Sequence, residues 1–441
     1  MRLFNQLFNY IFVNKLKFFD ISSLLLFSVL PISIIVGNAS ININILLIDI
    51  LFLFYCFKFK MWSWMKKDVF LFLIVLYIFL ILNSFYAYFI LFENQKNIFW
   101  EDDGIVRSLL FIKYILLVFA CSVLIKQDKV LSIVHKSWLI IIVIVILDIF
   151  FEKFFGKNII GNVSPDRSRI VSFFKDELVV GGLVFCFGYA STTYFIKNRG
   201  NDKSILIISL IFLLVPVSIF VTGERSIFIK AILLFLLIIF FFKQKMKNIN
   251  YKILIASILF LISTFLIFSD VSSTRYKQIY KGFYGSYGKS IFSDKKLVMH
   301  SYQNIKYFAH YDTAIKIFKN YPISGVGNKN FRLECHKEEY FNKKFLFSKA
   351  RCVTHPHQIH FEILSEQGIL GYFLILTFII WFSIKNIKIS IRNKDVYHFS
   401  NTAYLLIFFI PLLPGGGIFS TFNGVIFWII FSLVNLGYEK K

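Results

Sequence analysis

Apolar and polar positions along this chain come in long blocks. Runs of roughly 17 to 25 predominantly apolar residues, the length that spans a ~30 Å hydrocarbon core, recur from end to end. They lie near 22–38, 41–57, 69–92, 106–125, 138–151, 177–196, 204–221, 226–242, 251–269, 361–384, 400–414 and 416–437. The run at 138–151 is short, and the last two are separated only by Pro414 and Gly415 to Gly417. Short alternating segments of the kind that build a strand barrel are absent. The pattern predicts an all-α polytopic membrane protein of about twelve transmembrane helices: nine within 1–269, a long hydrophilic region at 270–360, and three within 361–441.

The polar stretches between the runs set an orientation. Lys58, Lys60, Lys66 and Lys67 follow the second run, and Lys126, Lys129 and Lys136 the fourth. Lys197, Arg199 and Lys203 follow the sixth, and Lys243, Lys245, Lys247 and Lys252 the eighth. Lys385, Lys388, Arg392 and Lys394 follow the tenth, and Lys440 and Lys441 end the chain. The alternate stretches are poorer in Lys and Arg, and the one after the third run carries Glu93, Glu101, Asp102 and Asp103. Excess Lys and Arg marks the cytoplasmic side, so both termini are expected in the cytoplasm and region 270–360 outside, since long regions cross regardless of charge. Within that region, Asp312 to Lys319 reads as a short amphipathic helix ended by Tyr321-Pro-Ile-Ser-Gly-Val-Gly327. Lys15 and Lys17 precede the first run without a small-residue cleavage site after it, which predicts a retained first helix.

Composition agrees. The chain is 57% hydrophobic with a mean hydropathy of +0.68, more apolar surface than a soluble fold of this size can bury. The net charge of +24 comes mostly from Lys, alongside heavy use of Phe (57 residues), as AT-rich coding would also give. The placement of charge is therefore more informative than its sum, and no nucleic-acid partner is expected. Five Cys are too few and too scattered for a disulfide scaffold. Two of them, Cys335 and Cys352, share the long outward region, where an oxidising compartment makes them a candidate disulfide.

Four outward pieces carry candidate chemistry. These are Pro165-Asp-Arg-Ser-Arg169, the turn Thr222-Gly-Glu-Arg225, Tyr321 to Gly327, and His355-Pro-His357-Gln-Ile-His360 followed by Glu362, Glu366, Gly368 and Gly371. An imidazole takes a proton near neutral pH, and guanidinium groups hold phosphate oxygens in a bidentate fork. Together they suit transfer of a group from a phosphate-linked donor to a hydroxyl. Blander readings stand beside this one. Arg225 at a helix end can simply snorkel to headgroups, and Arg167 and Arg169 can solvate a loop. The histidines can be ordinary surface residues or, at His-x-His spacing, metal ligands. Partner Cys or carboxylate ligands are not evidently placed, so no metal is expected. Glu362 and Glu366 read as acids favoured by a helix N-terminus, and Gly368 and Gly371 as close-packing residues. Asp49, Lys113, Asp148 and Lys230 fall inside apolar runs, where charge is costly. Lys230, just over one turn from Arg225, extends a cationic pocket.

His357-Gln358, nine residues, then Gly368-x-x-Gly371 resembles the signature of the O-antigen ligase family. The order of parts over roughly 160 to 375 also resembles that family and the related O-antigen polymerases. These share about twelve spans, an Arg in a short outer turn, and a late periplasmic loop with a Tyr-Pro-x-x-Gly-x-Gly element and this His at its end. The resemblance implies a metal-independent, inverting glycosyltransferase of the bacterial inner membrane with a periplasmic active site and no cofactor. The implied donor is a glycan on undecaprenyl pyrophosphate. The implied acceptor is a sugar hydroxyl of the lipid A core for a ligase, or of a second lipid-linked glycan for a polymerase. His357 would deprotonate the acceptor, with His355 competing for the role. Arg225 would hold the pyrophosphate, with Arg167 or Arg169 assisting and Glu224 orienting or partly neutralising Arg225. The rival class is a lipid-linked glycan transporter, which predicts internal repeat symmetry and ionisable groups at the membrane midplane.

Overall fold

In hydrocarbon a backbone amide finds no water, so apolar runs must satisfy their own hydrogen bonds as helices. The computed structural model describes residues 18–91, 104–166, 169–175, 177–198, 204–245 and 305–439, and these are helical with no strand among them. The first half comprises α1 (Phe18–Ser28), α2 (Leu30–Val36), α3 (Asn38–Phe59), α4 (Asp68–Tyr86), α5 (Gly104–Leu109), α6 (Ile112–Leu124) and α7 (Asp128–Phe155). There follow α8 (Val180–Asn198), α9 (Ser204–Thr222), α10 (Arg225–Lys245), α11 (Lys306–Asn320) and the single turn α12 (Phe331–Glu334). The last three are α13 (Ile359–Asn393), α14 (Val396–Phe408) and α15 (Thr421–Glu439).

Six helical stretches among the described residues are long and apolar enough to cross a membrane: α3, α4, α5 with α6, α7, α13 and α15. The bent pair α1–α2 makes a seventh if counted as one. The pair bends by 41° because Pro31, at the start of α2, supplies no amide to continue α1. The remaining predicted runs fall on α8, α9, α10 and α14, except 251–269, which lies outside the described residues, as do 270–304 of the long hydrophilic region.

Two boundaries differ from expectation. The run at 138–151 belongs to a 28-residue helix, α7. Its polar positions are satisfied inside the bundle and so do not end it: His135 Nε2 lies 2.9 Å from the Tyr397 hydroxyl, and Asp148 and Glu152 take up loop amides. The run at 400–414 is helical only to Phe408, beyond which the chain is irregular up to Thr421. The helix expected at 312–319 spans Lys306–Asn320.

One contiguous apolar core joins α1 to α4 and α6 to α10 with α13, α14 and α15. α8 is buried along nearly its whole length, between α7, α9 and α14. A second, smaller core (Ala314, Ile317, Val326, Phe331, Cys335 and Tyr340) lies under α11. Cys335 and Cys352 are joined in a disulfide with a Cα–Cα distance of 5.4 Å. Closing a loop of 17 residues is worth about 3 kcal/mol in the chain-entropy model. Within that loop, Arg351 donates to the carbonyls of Cys335, His336 and Lys337 at 3.0–3.3 Å.

The two cores meet at a joint built from two glycine-bearing segments. α13 is broken at Gly368 (φ 63°, ψ −166°), which frees backbone groups on either side. Segment 321–327 takes them: Val326 N–H donates to Ser365 O at 3.0 Å and Gly327 N–H to Glu366 O at 2.8 Å. Ile369 N–H donates to Pro322 O at 2.9 Å and Leu370 N–H to Ile323 O at 3.3 Å. A Cβ on Gly325 would stand 2.5 Å from the Glu366 carbonyl carbon, and one on Gly368 would strike Ile323 O. Gly368 is thus a break in the helix and not a packing position, while Gly371 packs against the Phe79 ring of α4.

Buried charge locks the joint. Glu362 and Glu366 are fully buried, one turn apart on α13, beyond the reach of a helix-end role in solvent. Lys329 forms an ion pair with Glu362, and its backbone N–H donates to Glu366 Oε2 at 2.9 Å. Burial disfavours the ammonium, but the two facing carboxylates outweigh it and hold the Lys329 pKa above its ordinary value. Lys329→Met, which leaves Glu362 buried without its counter-charge, is expected to cost about 3–5 kcal/mol and to lower the thermal midpoint in detergent. Adding Glu362→Leu should recover part of the loss. An unchanged midpoint for the single variant would contradict this account of the joint.

Candidate active site

A cavity of about 1010 Å³ opens at the end of the bundle where α8, α10, α13 and α15 all begin. Leu178 and Val179 before α8, Arg225 at the start of α10, His357 before α13 and Asn423 in the first turn of α15 all line it. Each helix start carries partial positive charge that favours an anion, and at two of the four, side chains already take up amides: Glu224 at α8 and Gln358 at α13. Ile34 to Asn38, at the α2–α3 junction, form an apolar side of the rim.

Two guanidinium groups face this space. Arg169 is presented by loop 157–175, which two carboxylates one turn apart on α7 hold down. Asp148 accepts from Ile159 N–H at 2.7 Å and from the Ser172 hydroxyl at 2.6 Å. Glu152 accepts from the N–H groups of Ser172 (2.6 Å) and Val171 (3.3 Å). Ile170 N–H then ties the loop to Thr222 O at the end of α9. Arg169 donates to Leu178 O at 3.4 Å, and its Nε has no partner among the described residues. Asp148, a costly charge inside an apolar run, is a loop anchor. Arg225 follows the tight turn at Gly223 (φ 76°) and opens α10. Its neighbour Glu224, which also lines the cavity, accepts from Gly181 N–H at 2.6 Å, pinning the α9–α10 turn to α8. Arg167 lies outside the described residues. Lys230 does not line the cavity. Its ammonium lies behind the wall, over the Phe408 ring at 5.4 Å and 3.2 Å from where a Gly415 Cβ would stand.

His357 adopts a left-handed backbone (φ 57°), a conformation that L residues enter at a cost. Three contacts hold it there. Its carbonyl accepts from Gly415 N–H at 2.8 Å, which draws the 414–417 turn to the site. The next residue, Gln358, caps α13, its side-chain oxygen accepting from the N–H groups of His360 (2.8 Å) and Phe361 (3.1 Å). Its ring packs against Tyr307, His310 and His355, with centroids 5.5, 5.6 and 4.4 Å away. Burial, then the facing His355, His310 and Lys306, pushes the His357 imidazole down to about 3, so in the empty cavity the ring is neutral and its charged form is disfavoured. Burial also lowers the His355 and His310 values. His355 lines the same cavity and bonds the Thr354 hydroxyl at 3.1 Å. His360 points elsewhere, between the Tyr372 hydroxyl (3.1 Å) and Phe409 O (2.7 Å), and pins α13 to the end of α14.

Arg169, Arg225, His355 and His357 therefore share one cavity. Tyr307 and Asn423 join them, and His310 packs behind His357, none of the three having been singled out from the sequence. Tyr307 and His310 stand three apart on α11, one face of a helix, and that spacing was the available signal. Among the described residues one trio of metal-ligating type, Cys335, His336 and Cys352, is close together, but its two sulfurs are bonded to each other.

No curated protein matches the chain. A family model described as O-antigen ligase matches residues 209–376, which include Arg225, Lys230, the 321–327 segment, both cavity histidines and the Gly368 break, but not Arg169. With six or seven membrane-length helices it points to a multi-pass membrane protein of O-antigen ligase or polymerase type. The matched region holds both halves of the joint and the histidine it carries, and supports assigning the chain to the O-antigen ligase family.

Proposed function

We propose that this protein moves a glycan from undecaprenyl pyrophosphate to a sugar hydroxyl of the lipid A core, by a metal-independent, inverting displacement at the periplasmic face of the inner membrane. In this reading both termini are cytoplasmic, and 270–360 is an outward region between a nine-helix block (1–269) and a three-helix block (361–441). The observation that carries it is the meeting of His357 with Arg225 and Arg169 in one cavity ringed by four helix starts.

The chemistry follows from those groups. Neutral His357 takes the proton of the acceptor hydroxyl. The acceptor oxygen attacks the anomeric carbon from the face opposite the pyrophosphate. The carbon–oxygen bond to the pyrophosphate breaks, and the leaving group departs with the electron pair. Arg225 and Arg169 stabilise the charge that develops on it, a preorganised role that costs no reorganisation at the moment of reaction. Lys230 adds long-range positive charge from behind the cavity wall.

Purified protein reconstituted with a lipid-linked glycan donor, with and without lipid A core, tests the reading on a gel. A single-step shift that requires lipid A core is expected, with His357→Ala slower by roughly 10²–10⁴ and His355→Ala retaining most of the activity. A ladder formed from donor alone would instead make the protein a polymerase that uses a second lipid-linked glycan. No product from the wild type would remove the enzyme reading and favour a transporter. Arg225→Ala is expected to lower kcat by on the order of 10²–10³, as loss of one charge-stabilising donor does, with Arg225→Lys recovering part because the charge remains but the fork does not.

The pH profile carries a second signature. In the empty cavity His357 stays neutral until well below its ordinary value. A bound diphosphate brings negative charge that favours the imidazolium and raises that pKa. Activity needs the neutral ring, so it falls as pH drops through the pKa of the relevant state. The acidic limb of kcat, which reports the complex, is therefore expected at higher pH than that of kcat/KM for the donor. Coincident limbs would contradict the linkage.

A further inference from the structure

His310 is fully buried, one turn along α11 from Tyr307. Its Nδ1 lies 3.0 Å from the carbonyl oxygen of Arg351. A carbonyl only accepts, so Nδ1 carries the hydrogen, and in the neutral ring Nε2 is left as a bare acceptor. That Nε2 is buried and has no partner among the described residues. A buried polar atom without a partner costs about 1–3 kcal/mol, so it marks a position kept for something other than stability. The ring beside it is His357, at a centroid separation of 5.6 Å.

We infer that His310 is a positioning residue for His357, its Nε2 being the acceptor for the N–H that His357 carries on the nitrogen turned away from the acceptor hydroxyl, which orients the base and stabilises the imidazolium formed when it takes the acceptor's proton. This rests on the reading of His357 as the base. The neutral His357 ring has one N–H and the imidazolium has two. The N–H already present becomes a stronger donor when the ring is protonated, and the bare Nε2 belongs to the ring beside it, 5.6 Å away between centroids. The proton passes from the acceptor hydroxyl to the bare nitrogen of His357 and stays there while the glycosidic bond forms and the pyrophosphate leaves, with the other N–H of His357 held by His310. This is the third member of a base system, the group that orients the base and stabilises its charged form. The Arg351 carbonyl fixes which His310 nitrogen is bare, and the bonds from Arg351 to 335–337, with the Cys335–Cys352 disulfide, fix that carbonyl.

The charged and titratable neighbours are few. Lys306 and Tyr307 face the pair from α11, and His355 faces it from the 354–357 segment. Behind His355 lie Lys329 and Glu362, whose charges oppose each other.

His310→Asn and His310→Gln separate this role from packing. Asn keeps a donor toward Arg351 O but has no acceptor at the Nε2 position, whereas Gln places an amide there. In the reconstituted transfer assay His310→Asn is expected to lower kcat by roughly 10- to 100-fold, below the loss from removing the base itself, with the donor KM unchanged. The acidic limb of kcat should also move to lower pH, because the imidazolium has lost its stabilising acceptor. His310→Gln should retain more kcat than His310→Asn. Wild-type kcat and pH profile in His310→Asn would overturn the inference. So would a lowered kcat with an unmoved acidic limb, or equal kcat for the two variants. If the wild type yields no product, or His357→Ala keeps its activity, the proposed function itself has failed, a result separate from any outcome for His310.

Discussion

The break in α13 at Gly368 is the constraint on which the site depends. A continuous helix there would keep its backbone groups to itself and leave segment 321–327 with nothing to bond. Because Gly368 leaves the helical conformation, four backbone hydrogen bonds run between the two segments. Position 325 must be glycine for the same reason, since any side chain would enter the α13 backbone. The buried Lys329–Glu362 pair then forms only when both segments are in place. Buried charges resist any arrangement that separates them, so the joint admits little slack.

The histidine site inherits that rigidity. His357 is two residues before α13, in a left-handed conformation that needs support from outside. Gln358 supplies it by capping the helix, and Gly415 by bonding the His357 carbonyl. The arginines reach the same cavity from the other side of the bundle by a different device. Asp148 and Glu152 on α7 accept the amides of the loop that carries Arg169, and Glu224 fastens the turn that carries Arg225. Carboxylates thus serve twice as anchors for loops that present cations. They satisfy backbone amides and leave the guanidinium groups to face the cavity.

Electrostatics and burial pull in one direction here. Four helix starts and two arginines favour an anion, while burial of the ring, with His355, His310 and Lys306 facing it, keeps His357 neutral. A cationic pocket and a protonated base would repel each other, and the empty site avoids this by releasing the proton. In the proposed reaction a negatively charged donor reverses the balance, so that binding and basicity rise together.

The sequence alone was enough to determine the helical class, the long apolar runs, the paired basic stretches, and His357 and Arg225 as candidate chemistry, with Arg167 and Arg169 named as alternatives between which it did not choose. These depend on composition and on spacing within a single segment, which linear order preserves. It also carried the cysteine pair and both glycine motifs. It did not show that Tyr321–Gly327 and Gly368 are two halves of one joint, nor that Gln358 is a helix cap. Glu362 and Glu366 read as helix-end acids because their partner, Lys329, is more than thirty positions away. Asp148 read as a membrane charge because the loop amides it binds have no sequence signature. His310 was passed over because a lone histidine on a helix face is informative only when something stands opposite it. In each case the missing term was a contact between distant segments, and only packing of the whole chain decides which distant segments meet.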